Sequence, residues 1–432
     1  MKFVVEGGRV LSGNVELAGA KNSVTKSLVA SLLTEEKCVF ENAPQIGDRE
    51  ITIELCQALG SRVAVAGSHL EIETSKIATT EVVSLSRRNR IPILTLGPLL
   101  ARCGEAKVPI LGGDKLGPRP VNFHLTALRA MGAEIEMTAD YYQAKAPQGL
   151  RGAHIRLDYP SVGATENVLL AAVLAQGRTV IEGAAVEPEI IDLVKLLQNM
   201  GAIIELGTDR RIFIDGVKKL HGVSHRILPD RNEAVSFACL GLATGGEIFL
   251  KGAVQEHLLT FLNAVRRLGA EYEVREDGIY FYPPAGGLKG IEIETDTHPG
   301  FMTDWQQPLV ILLTQAQGVS IVHETVYEDR FGYVKDLNLM GANIKVLSRC
   351  LGELPCRFRD KSFNHSATIY GPTPLKAAQL RVPDLRAGMA HLIAACIAVG
   401  QSEIDNIEEV ERGYENIEER LIGLGAAIKK TN

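Results

Sequence analysis

Hydrophobic and polar residues recur along the chain in a pattern that repeats six times. Each copy contains a helix-like segment that ends in Leu or Met, followed by glycine, a small residue and a run typical of a β-strand. Because a left-handed residue commonly ends a helix and glycine adopts that conformation without strain, this glycine is predicted to end each helix. The copies lie about 70 residues apart, and about 84 in the last interval. Their glycines are Gly60, Gly132, Gly201, Gly269, Gly341 and Gly425.

A second segment in each copy is apolar on nearly all sides, as in "SVGATENVLLAAVLAQG" and "DRNEAVSFACLGLATGG". A helix of that kind is predicted to be buried. Two helices and several strands in each copy predict an α/β protein whose helices lie inside its sheets. Six copies in 432 residues fit two domains of three copies each.

Polar residues cluster where these buried helices are predicted to start. A helix N-terminus has free N–H groups and a partial positive charge, so an acid there is explained as an N-cap. A cation there opposes the helix dipole, which indicates an anionic ligand nearby. If the helices of each domain run parallel, their N-termini would face one cleft. The residues at the six starts are Lys21 and Asn22, Arg90, Glu166 and Asn167, Asp230 and Arg231, Asp304, and Asp384 and Arg386.

The composition is typical of a globular protein, with 46% hydrophobic and 23% charged residues. A formal net charge of −6 disfavours nucleic-acid binding but is compatible with a local cationic pocket. The sequence shows no apolar run of bilayer-spanning length, and its first residues, "MKFVVEGGRVLSGNVEL", lack the features of a signal sequence and predict a β-hairpin. We therefore expect a cytoplasmic protein that binds neither nucleic acid nor membrane.

The seven cysteines are scattered, odd in number and mostly in apolar surroundings, which indicates reduced residues of the core. Cys350 and Cys356 are close in sequence, but no second pair of ligands accompanies them, so no metal site is predicted. The long segment near 345–383 is predicted to form an extended surface hairpin, without an assigned purpose.

Short motifs follow one another in a fixed order along nearly the whole chain. Among them are "GAKNS", "LGPLLAR", "SVGATEN", "HP-x-F-x-TD", "ETV-x-E-x-RF" and "RGYE". In these motifs the chain resembles the UDP-N-acetylglucosamine 1-carboxyvinyltransferase family, the enolpyruvyl transferases of peptidoglycan synthesis. The resemblance implies two inside-out α/β barrel domains built from six repeated βαβαββ-like units, with the active site between the domains. Residues 21–228 would form the first domain, with a mobile loop near 110–120, and residues 1–20 plus 229–432 would form the second.

The resemblance also implies a reaction. The family transfers the enolpyruvyl group of phosphoenolpyruvate to the 3-hydroxyl of UDP-N-acetylglucosamine and releases phosphate. This is the first committed step of peptidoglycan precursor synthesis, which implies a role in cell wall biogenesis, cell shape and cell division. Neither a metal nor an organic cofactor is implied. The implied partners are the two small-molecule substrates, and the sequence indicates no particular protein partner.

Substrate-binding residues follow from the family positions. Phosphoenolpyruvate carries a phosphate and a carboxylate, and arginine binds both groups through paired hydrogen bonds. The implied phosphoenolpyruvate ligands are Lys21, Asn22, Arg90, Arg119, Arg386 and Arg412. The implied UDP-N-acetylglucosamine ligands are Arg90, Arg119, Pro120, Val121, Asn122, Phe123, Ser161, Val162, Gly163, Asp304 and Val326.

Catalytic residues are implied in the same way. The sugar hydroxyl must lose its proton as it attacks, and a carboxylate within hydrogen-bonding distance can accept that proton. Asp304 matches the family residue with this role, although it also fits an N-cap for a helix that begins near Trp305. Lys21 and Asn22 belong to the implied catalytic set as well, with Asn22 orienting the hydroxyl or the intermediate.

The stretch "GGDKLGPRP" at 112–120 places Asp114 where most family members carry a cysteine on the mobile loop. The family links that position to proton delivery to the methylene carbon or to a covalent adduct. An unperturbed aspartate has a pKa of about 3.9, which Lys115 and Arg119 would lower and which water exclusion and an anionic substrate would raise. We therefore predict that Asp114 is the general acid in the closed complex. Because fosfomycin alkylates the family's thiolate, the enzyme is predicted to be fosfomycin-insensitive.

Two alternative functions remain open. One is a sister enolpyruvyl transferase that acts on another nucleotide, against which the uridine-sugar motifs argue in part. The other is a non-catalytic nucleotide-sugar-binding paralogue, which the joint retention of the implied catalytic and cationic residues disfavours. A nucleotide-dependent kinase is disfavoured because the glycine-rich start of the chain lacks the Walker spacing.

Overall fold

The computed structural model describes residues 1–82, 85–87, 89–110 and 121–431. These residues form two compact units. One, the 19–228 unit, consists of the described residues from 19 to 228. The other, the 229–431 unit, consists of residues 229–431 together with residues 1–18.

Strands and helices alternate along the chain. Up to residue 228 the elements are β1 (Lys2–Glu6), β2 (Gly13–Glu16), α1 (Lys21–Ala30), β3 (Cys38–Glu41), α2 (Gly47–Ala58), β4 (Arg62–Ala66), β5 (His69–Glu73), α3 (Leu96–Cys103), β6 (Glu105–Pro109), α4 (Asn122–Ala130), β7 (Glu134–Met137), β8 (Tyr141–Lys145), β9 (His154–Arg156), α5 (Val162–Ala172), β10 (Arg178–Glu182), α6 (Pro188–Asn199), β11 (Ile203–Leu206), β12 (Ile212–Asp215) and β13 (Ser224–Arg226). From residue 229 they are α7 (Arg231–Thr244), β14 (Ile248–Lys251), α8 (Leu259–Arg267), β15 (Glu271–Arg275), β16 (Gly278–Tyr282), β17 (Glu292–Glu294), α9 (Gln306–Leu313), β18 (Gly318–His323), α10 (Val334–Leu339), β19 (Asn343–Leu347), β20 (Ser366–Gly371), β21 (Gln379–Arg381), α11 (Leu385–Ile397), β22 (Gln401–Asp405), α12 (Glu408–Glu411), α13 (Ile417–Gly423) and β23 (Ala427–Thr431). Short 3₁₀ turns lie at Ser31–Leu33, Ile91–Thr95, Gln255–His257 and Thr303–Trp305.

The order strand, helix, strand, helix, strand, strand recurs and confirms the predicted βαβαββ unit. In the copy β9-α5-β10-α6-β11-β12, β9 is parallel to β10, and the other pairs are antiparallel. The sheets of the 19–228 unit have the strand orders β13-β3-β5-β4, β6-β8-β7 and β11-β12-β10-β9. Those of the 229–431 unit have the orders β15-β16-β14-β2, β17-β18-β20-β19 and β21-β22-β1-β23.

The first two strands do not form the hairpin that the sequence predicted. β1 lies between β22 and β23, antiparallel to both, and β2 is parallel to β14. The prediction was wrong because alternating buried residues such as Phe3 and Val5 specify a strand with a buried face but do not specify its partner. The N-terminal strands therefore complete sheets whose other strands come from residues 248–282 and 379–431.

Apolar helices fill the interior of each unit, as predicted. In the 229–431 unit α7, α9 and α11 pack against one another, and α7 is buried on all sides from Arg231 to Leu242. In the 19–228 unit α5 packs against α3 and against the Ile91–Thr95 turn, which also contacts α1. The strands bury alternate residues, so one face of each sheet covers these helices and the other faces outward. This arrangement confirms the inside-out α/β fold.

The repeat glycines all have positive φ, between 82° and 109°, as expected for residues that end helices. At four of these glycines a hydrogen bond passes across the helix end. The side chain three residues before the glycine donates it to the backbone carbonyl three residues after the glycine. This bond ties the end of the helix to the strand that follows, and the sequence pattern did not reveal it. The pairs are Arg129 with Ile135 (2.8 Å), Gln198 with Ile204 (2.8 Å), Arg266 with Tyr272 (3.3 Å) and Asn338 with Ile344 (2.9 Å).

Candidate active site

The helices α7, α9 and α11 bring their N-termini together in the 229–431 unit. Trp305, just before α9, donates its indole N–H to Asn232 Oδ1 of α7 at 3.0 Å. Arg386 of α11 donates its Nε–H to Asp304 Oδ2 at 3.3 Å. These two bonds join the starts of all three buried helices, so polar groups from three separate parts of the sequence lie side by side.

Two of the acids at these helix starts are N-caps, as predicted. Asp230 accepts hydrogen bonds from the backbone N–H groups of residues 232 and 233 at the start of α7. Asp384 accepts the corresponding bonds from residues 386 and 387 at the start of α11. Asp304 differs, because it lies within the Thr303–Trp305 turn, whose N-cap residue is Met302, while the N-cap residue of α9 is Trp305. The alternative that Asp304 is an N-cap is therefore wrong.

Asp304 lies between two buried arginines. Arg330 Nη2 is 2.5 Å from Asp304 Oδ1, and Arg386 Nε is 3.3 Å from Oδ2. Burial opposes the charge of each arginine, but the neighbouring carboxylates outweigh it, so the pKa of Arg330 and that of Arg386 are both raised, with Asp304 the main cause. Both arginines therefore stay cationic, and the Asp304 carboxylate is held in a fixed orientation.

Arg412 is another predicted cationic residue of the 229–431 unit. It forms a 2.8 Å ion pair with Glu409. The side chain of Arg412 is buried although it belongs to the short segment that follows α12. Close to it in sequence, Tyr414 Oη accepts a hydrogen bond from Arg386 Nη1 at 3.2 Å and lies 2.8 Å from Ser236 Oγ. The "RGYE" motif thus supplies both a buried cation and a phenol that supports Arg386.

Val326, a predicted contact of the uridine nucleotide, is half-buried and follows the buried Glu324. Glu324 accepts hydrogen bonds from the backbone N–H groups of Val326 and Tyr327 at 2.8 and 3.0 Å and from Thr303 Oγ1 at 2.9 Å. Burial raises the pKa of Glu324, while Arg330 and these donors oppose the shift. This carboxyl group therefore fixes the backbone at Val326 against the turn that carries Asp304.

Lys21 and Asn22 are the first two residues of α1 in the 19–228 unit, as predicted. Lys21 Nζ forms a 2.8 Å ion pair with Asp48 Oδ2, whose side chain is almost fully buried. Asn22 is half-buried. Among the described residues α1 has no side-chain N-cap and no acid in its first turn, so a fixed lysine lies at this helix start.

The predicted start of the third buried helix needs correction. α5 begins at Val162, and the Ser161 hydroxyl is its N-cap, accepting from the Ala164 N–H at 3.3 Å. Glu166 and Asn167 therefore lie in the second turn, where both are buried. The prediction was wrong because a run of small residues, "SVGAT", precedes the acid and hides the first turn. Ser161, Val162 and Gly163 are the residues at the helix start.

A buried histidine joins several of the predicted nucleotide contacts. Asn122 and Phe123 open α4, after the half-buried Val121, and His124 follows them. His124 Nδ1 is 3.2 Å from Asn167 Nδ2, and a Cβ at Gly163 would lie 3.1 Å from its ring. Burial, and next the charge of Arg90, lower the pKa of His124 to about 4. The ring is therefore neutral near pH 7, and Arg90 lies within its electrostatic reach.

Three predicted site residues lie outside the described residues. They are Asp114, Arg119 and Pro120, together with the rest of the predicted mobile loop. Their assignments remain predictions.

Arg330, Asp48 and His124 are not among the predicted site residues, although the structure places each beside one. Arg330 lies in the "ETV-x-E-x-RF" motif, so its sequence carried a signal. Its Nη1 is buried and makes no hydrogen bond within the described chain. Asp48 and His124 had no comparable signal in the sequence. Asp48 acts through Lys21, 27 residues away, and His124 acts through Asn167, 43 residues away.

The chemistry of these groups can now be stated. In the 229–431 unit a carboxylate, oriented by two arginines, can accept a proton from a hydroxyl. In the 19–228 unit a lysine at an uncapped helix start and Arg90 can bind phosphate or carboxylate groups. No helix within the described chain is both long and apolar enough to cross a membrane.

Comparison with known proteins shows similarity along nearly the whole chain. The family model for EPSP synthase (3-phosphoshikimate 1-carboxyvinyltransferase) matches residues 5–421. A UDP-N-acetylglucosamine 1-carboxyvinyltransferase from Chlamydia abortus is 50% identical over 429 residues, covering 98% of this chain and 97% of the relative. One with the same name from Protochlamydia amoebophila is 48% identical over 432 residues, covering 98% of this chain and 93% of the relative.

Solved structures show the same fold. The enolpyruvyl transferase NikO from Streptomyces tendae superposes with a TM-score of 0.87 at 24% identity, over 99% of this chain and 98% of that one. An EPSP synthase from Acinetobacter baumannii gives a TM-score of 0.73 at 17% identity, over the full length of both chains. The chain therefore belongs to the EPSP synthase family, among the members named UDP-N-acetylglucosamine 1-carboxyvinyltransferase.

Proposed function

We propose that this protein transfers the enolpyruvyl group of phosphoenolpyruvate to the 3-hydroxyl of UDP-N-acetylglucosamine and releases phosphate. The observation that carries the proposal is the Asp304 carboxylate held between Arg330 and Arg386, in a chain that is about half identical to relatives named for this reaction. The proposed partners are the two small-molecule substrates, and the proposed location is the cytoplasm. The proposed role is to commit precursors to peptidoglycan synthesis.

Asp304 is the proposed general base. An ionised carboxylate only accepts hydrogen bonds, so the sugar hydroxyl can donate to it and pass it a proton during the attack. The arginines fix both oxygens of Asp304, which limits the number of positions from which the hydroxyl can approach. Arg330 thereby positions the base.

The remaining cations are proposed to bind phosphoenolpyruvate and the diphosphate. Lys21, Arg386 and Arg412 each form an ion pair that fixes them before the substrate arrives. Arg90 lies within electrostatic reach of the buried His124. Arg119 and Pro120 are assigned by family position alone. The uncapped start of α1 and the Ser161-capped start of α5 add backbone N–H groups that favour negatively charged ligands.

An acceptor assay tests the proposal. The purified protein is incubated with phosphoenolpyruvate and either UDP-N-acetylglucosamine, another nucleotide or no acceptor, and phosphate release is measured while mass spectrometry identifies the product. We expect release only with the aminosugar nucleotide, together with an enolpyruvyl adduct of that compound. Release with a different nucleotide would select the sister transferase, and binding without release would select the non-catalytic paralogue.

Asp304→Asn tests the assignment of the base. The change keeps the shape of the side chain but removes its basicity, so kcat is expected to fall by about 10²–10⁴-fold. Asp336→Asn is the matched control, because Asp336 is an acid of the same unit that pairs with a cationic-capable side chain, His391, at 3.2 Å. Near-normal kcat in Asp304→Asn, in protein that still binds the nucleotide, would remove Asp304 from the role.

A further inference from the structure

Four potential metal ligands meet in the 229–431 unit, and none of them is among the residues assigned to the reaction. They are His323, Cys350, Cys356 and His365, and one ligand atom from each lies within 4.8 Å of all the others. His323 ends β18, and His365 immediately precedes β20. Both cysteines belong to residues 348–365, which connect β19 to β20 in the predicted extended hairpin. The structure thus supplies the second ligand pair that the sequence spacing did not show.

Each histidine is oriented so that its Nε2 is available to the cluster. His323 Nδ1 lies 2.8 Å from Glu294 Oε2, and His365 Nδ1 lies 2.7 Å from the carbonyl oxygen of Phe363. Both Nδ1 atoms therefore carry the proton and donate it, which leaves a lone pair on each Nε2. His323 Nε2 is buried and makes no hydrogen bond within the described chain. A fully buried polar nitrogen without a partner indicates a missing ligand.

The surroundings of the histidines match those of metal ligands in other proteins. A ligating histidine usually donates its second N–H to a carboxylate or a backbone carbonyl, which fixes the ring. Glu294 is fixed in turn by the backbone N–H groups of Glu353 and Leu354, both at 2.9 Å. Gly352 passes so close that a Cβ would lie 2.0 Å from Glu294 Oε2 and 2.5 Å from His323 Nδ1. The connecting segment is therefore packed tightly around the histidine and its carboxylate.

We propose that His323, Cys350, Cys356 and His365 bind a divalent zinc ion in a closed, tetrahedral site. Two thiolates and two imidazoles are a common structural zinc set, and zinc prefers four ligands at about 2.0–2.3 Å. At those bond lengths neighbouring sulfur and nitrogen ligands lie about 3.5 Å apart. Cys350 Sγ and His365 Nε2 are 3.4 Å apart, so this pair already has the required separation.

The metal would fasten the connecting segment to the chain that leads into the candidate active site. Glu324 donates its backbone N–H to the carbonyl of His365 at 2.7 Å, directly beside two of the ligands. Arg357 Nη2, next to Cys356, donates to the carbonyl of Val326 at 2.5 Å. Asn364 donates its backbone N–H to Asp329 Oδ1 at 2.7 Å. The site has a structural role in this proposal, because four protein ligands leave no open position for a substrate.

Metal analysis of the intact protein tests the proposal. The full chain is purified under reducing conditions without chelators, and zinc is measured by plasma mass spectrometry. We expect close to one zinc per chain. Protein refolded or exchanged with Co²⁺ is expected to show thiolate-to-cobalt charge-transfer absorption and the intense visible bands of tetrahedral cobalt. Protein that contains no metal and shows no such bands with Co²⁺, while its thiols are reduced, would overturn the proposal.

Variants locate the metal within the protein. Cys350→Ser and His365→Asn are expected to lose it, whereas Cys103→Ser, which changes an exposed cysteine, is expected to retain it. Glu294→Gln keeps all four ligands and is expected to weaken zinc binding about 10–100-fold, measured by competition with a chelator. Retention of full metal content in Cys350→Ser would refute the assignment.

Alkylation of the wild-type protein covers the case in which a ligand variant fails to fold. Zinc is expected to protect Cys350 and Cys356 from iodoacetamide, while Cys103 reacts in the same sample. Equal reaction of the three thiols with and without zinc would contradict the site. An intact mass two hydrogens lower, with peptides that link Cys350 to Cys356, would show a disulfide and would also overturn the proposal.

Discussion

Glu166 should make the stability of the 19–228 unit fall as the pH rises. Its carboxyl group is buried in the second turn of α5, 3.7 Å from Lys26. Burial raises the pKa of Glu166 from 4.5 to about 7; Lys26 opposes the shift, whereas Glu187 and Glu189 add to it. The perturbation is Glu166→Gln, which keeps the shape of the side chain and removes its ionisation.

The direction and size of the effect follow from proton linkage. Between pH 4.5 and about 7 the folded protein keeps the Glu166 proton and the unfolded chain loses it, so raising the pH favours unfolding. The contribution of Glu166 to the free energy of unfolding is fully present below its pKa in the unfolded chain. It is lost as the pH rises through its pKa in the folded protein. The difference between the two pKa values corresponds to about 3 kcal/mol of free energy. Glu166→Gln should therefore stabilise the unit by about that amount above pH 7 relative to its effect below pH 4.5.

The assay is chemical denaturation of wild type and variant over this pH range, followed by a probe in the 19–228 unit. Comparing the two proteins cancels other titrations, including that of His124. Because burial and then Arg90 lower the pKa of His124 to about 4, His124 makes stability rise with pH up to its unfolded value of 6.5. Glu134→Gln, at an exposed position of β7, controls for the loss of one charge. A difference between wild type and Glu166→Gln that stays constant with pH would refute the reasoning.

The remaining predictions concern the loop and two glycines with positive φ, Gly177 and the repeat glycine Gly60. Asp114→Asn should abolish turnover while leaving nucleotide-sugar affinity nearly unchanged, and wild type should show no time-dependent inactivation by fosfomycin; a covalent adduct at Asp114 in a mass spectrum would contradict this. Gly177→Ala should cost about 1–2 kcal/mol in the free energy of unfolding, because its φ is +93° and a Cβ would meet no atom within 4 Å. Gly60→Ala should cost more, since its φ is +109° and a Cβ would also lie 2.8 Å from the carbonyl oxygen of Lys76. If denaturation experiments gave the same loss of unfolding free energy for Gly60→Ala and Gly177→Ala, the steric contact at Gly60 would contribute nothing beyond backbone strain.

Local features of the fold could be predicted from the sequence because local chemistry determines them. Glycine ends each repeated helix since the backbone there has positive φ, and Asp230 and Asp384 cap helices that lie next to them in sequence. All-round apolarity was enough to identify the buried helices. The six-unit order then followed from the period.

Features that depend on distant partners could not be predicted in the same way. The partner of β1 lies at the other end of the chain, and alternation along a strand carries no information about it. Arg330 becomes important only when folding brings it to Asp304. The two histidines that join Cys350 and Cys356 are also distant in sequence. His323 lies 27 residues before Cys350, and His365 lies nine residues after Cys356, which matches no familiar zinc-binding spacing.

The central position of β1 in its sheet has a consequence for synthesis on the ribosome. The backbone of β1 can be paired on both sides only after residues 401–431 have emerged, because those residues contain the two flanking strands. Closing a loop of about 400 residues is entropically costly compared with local pairing. β1 is therefore synthesised long before its two partner strands, and until they emerge it presents open edges for which chaperones compete with aggregation.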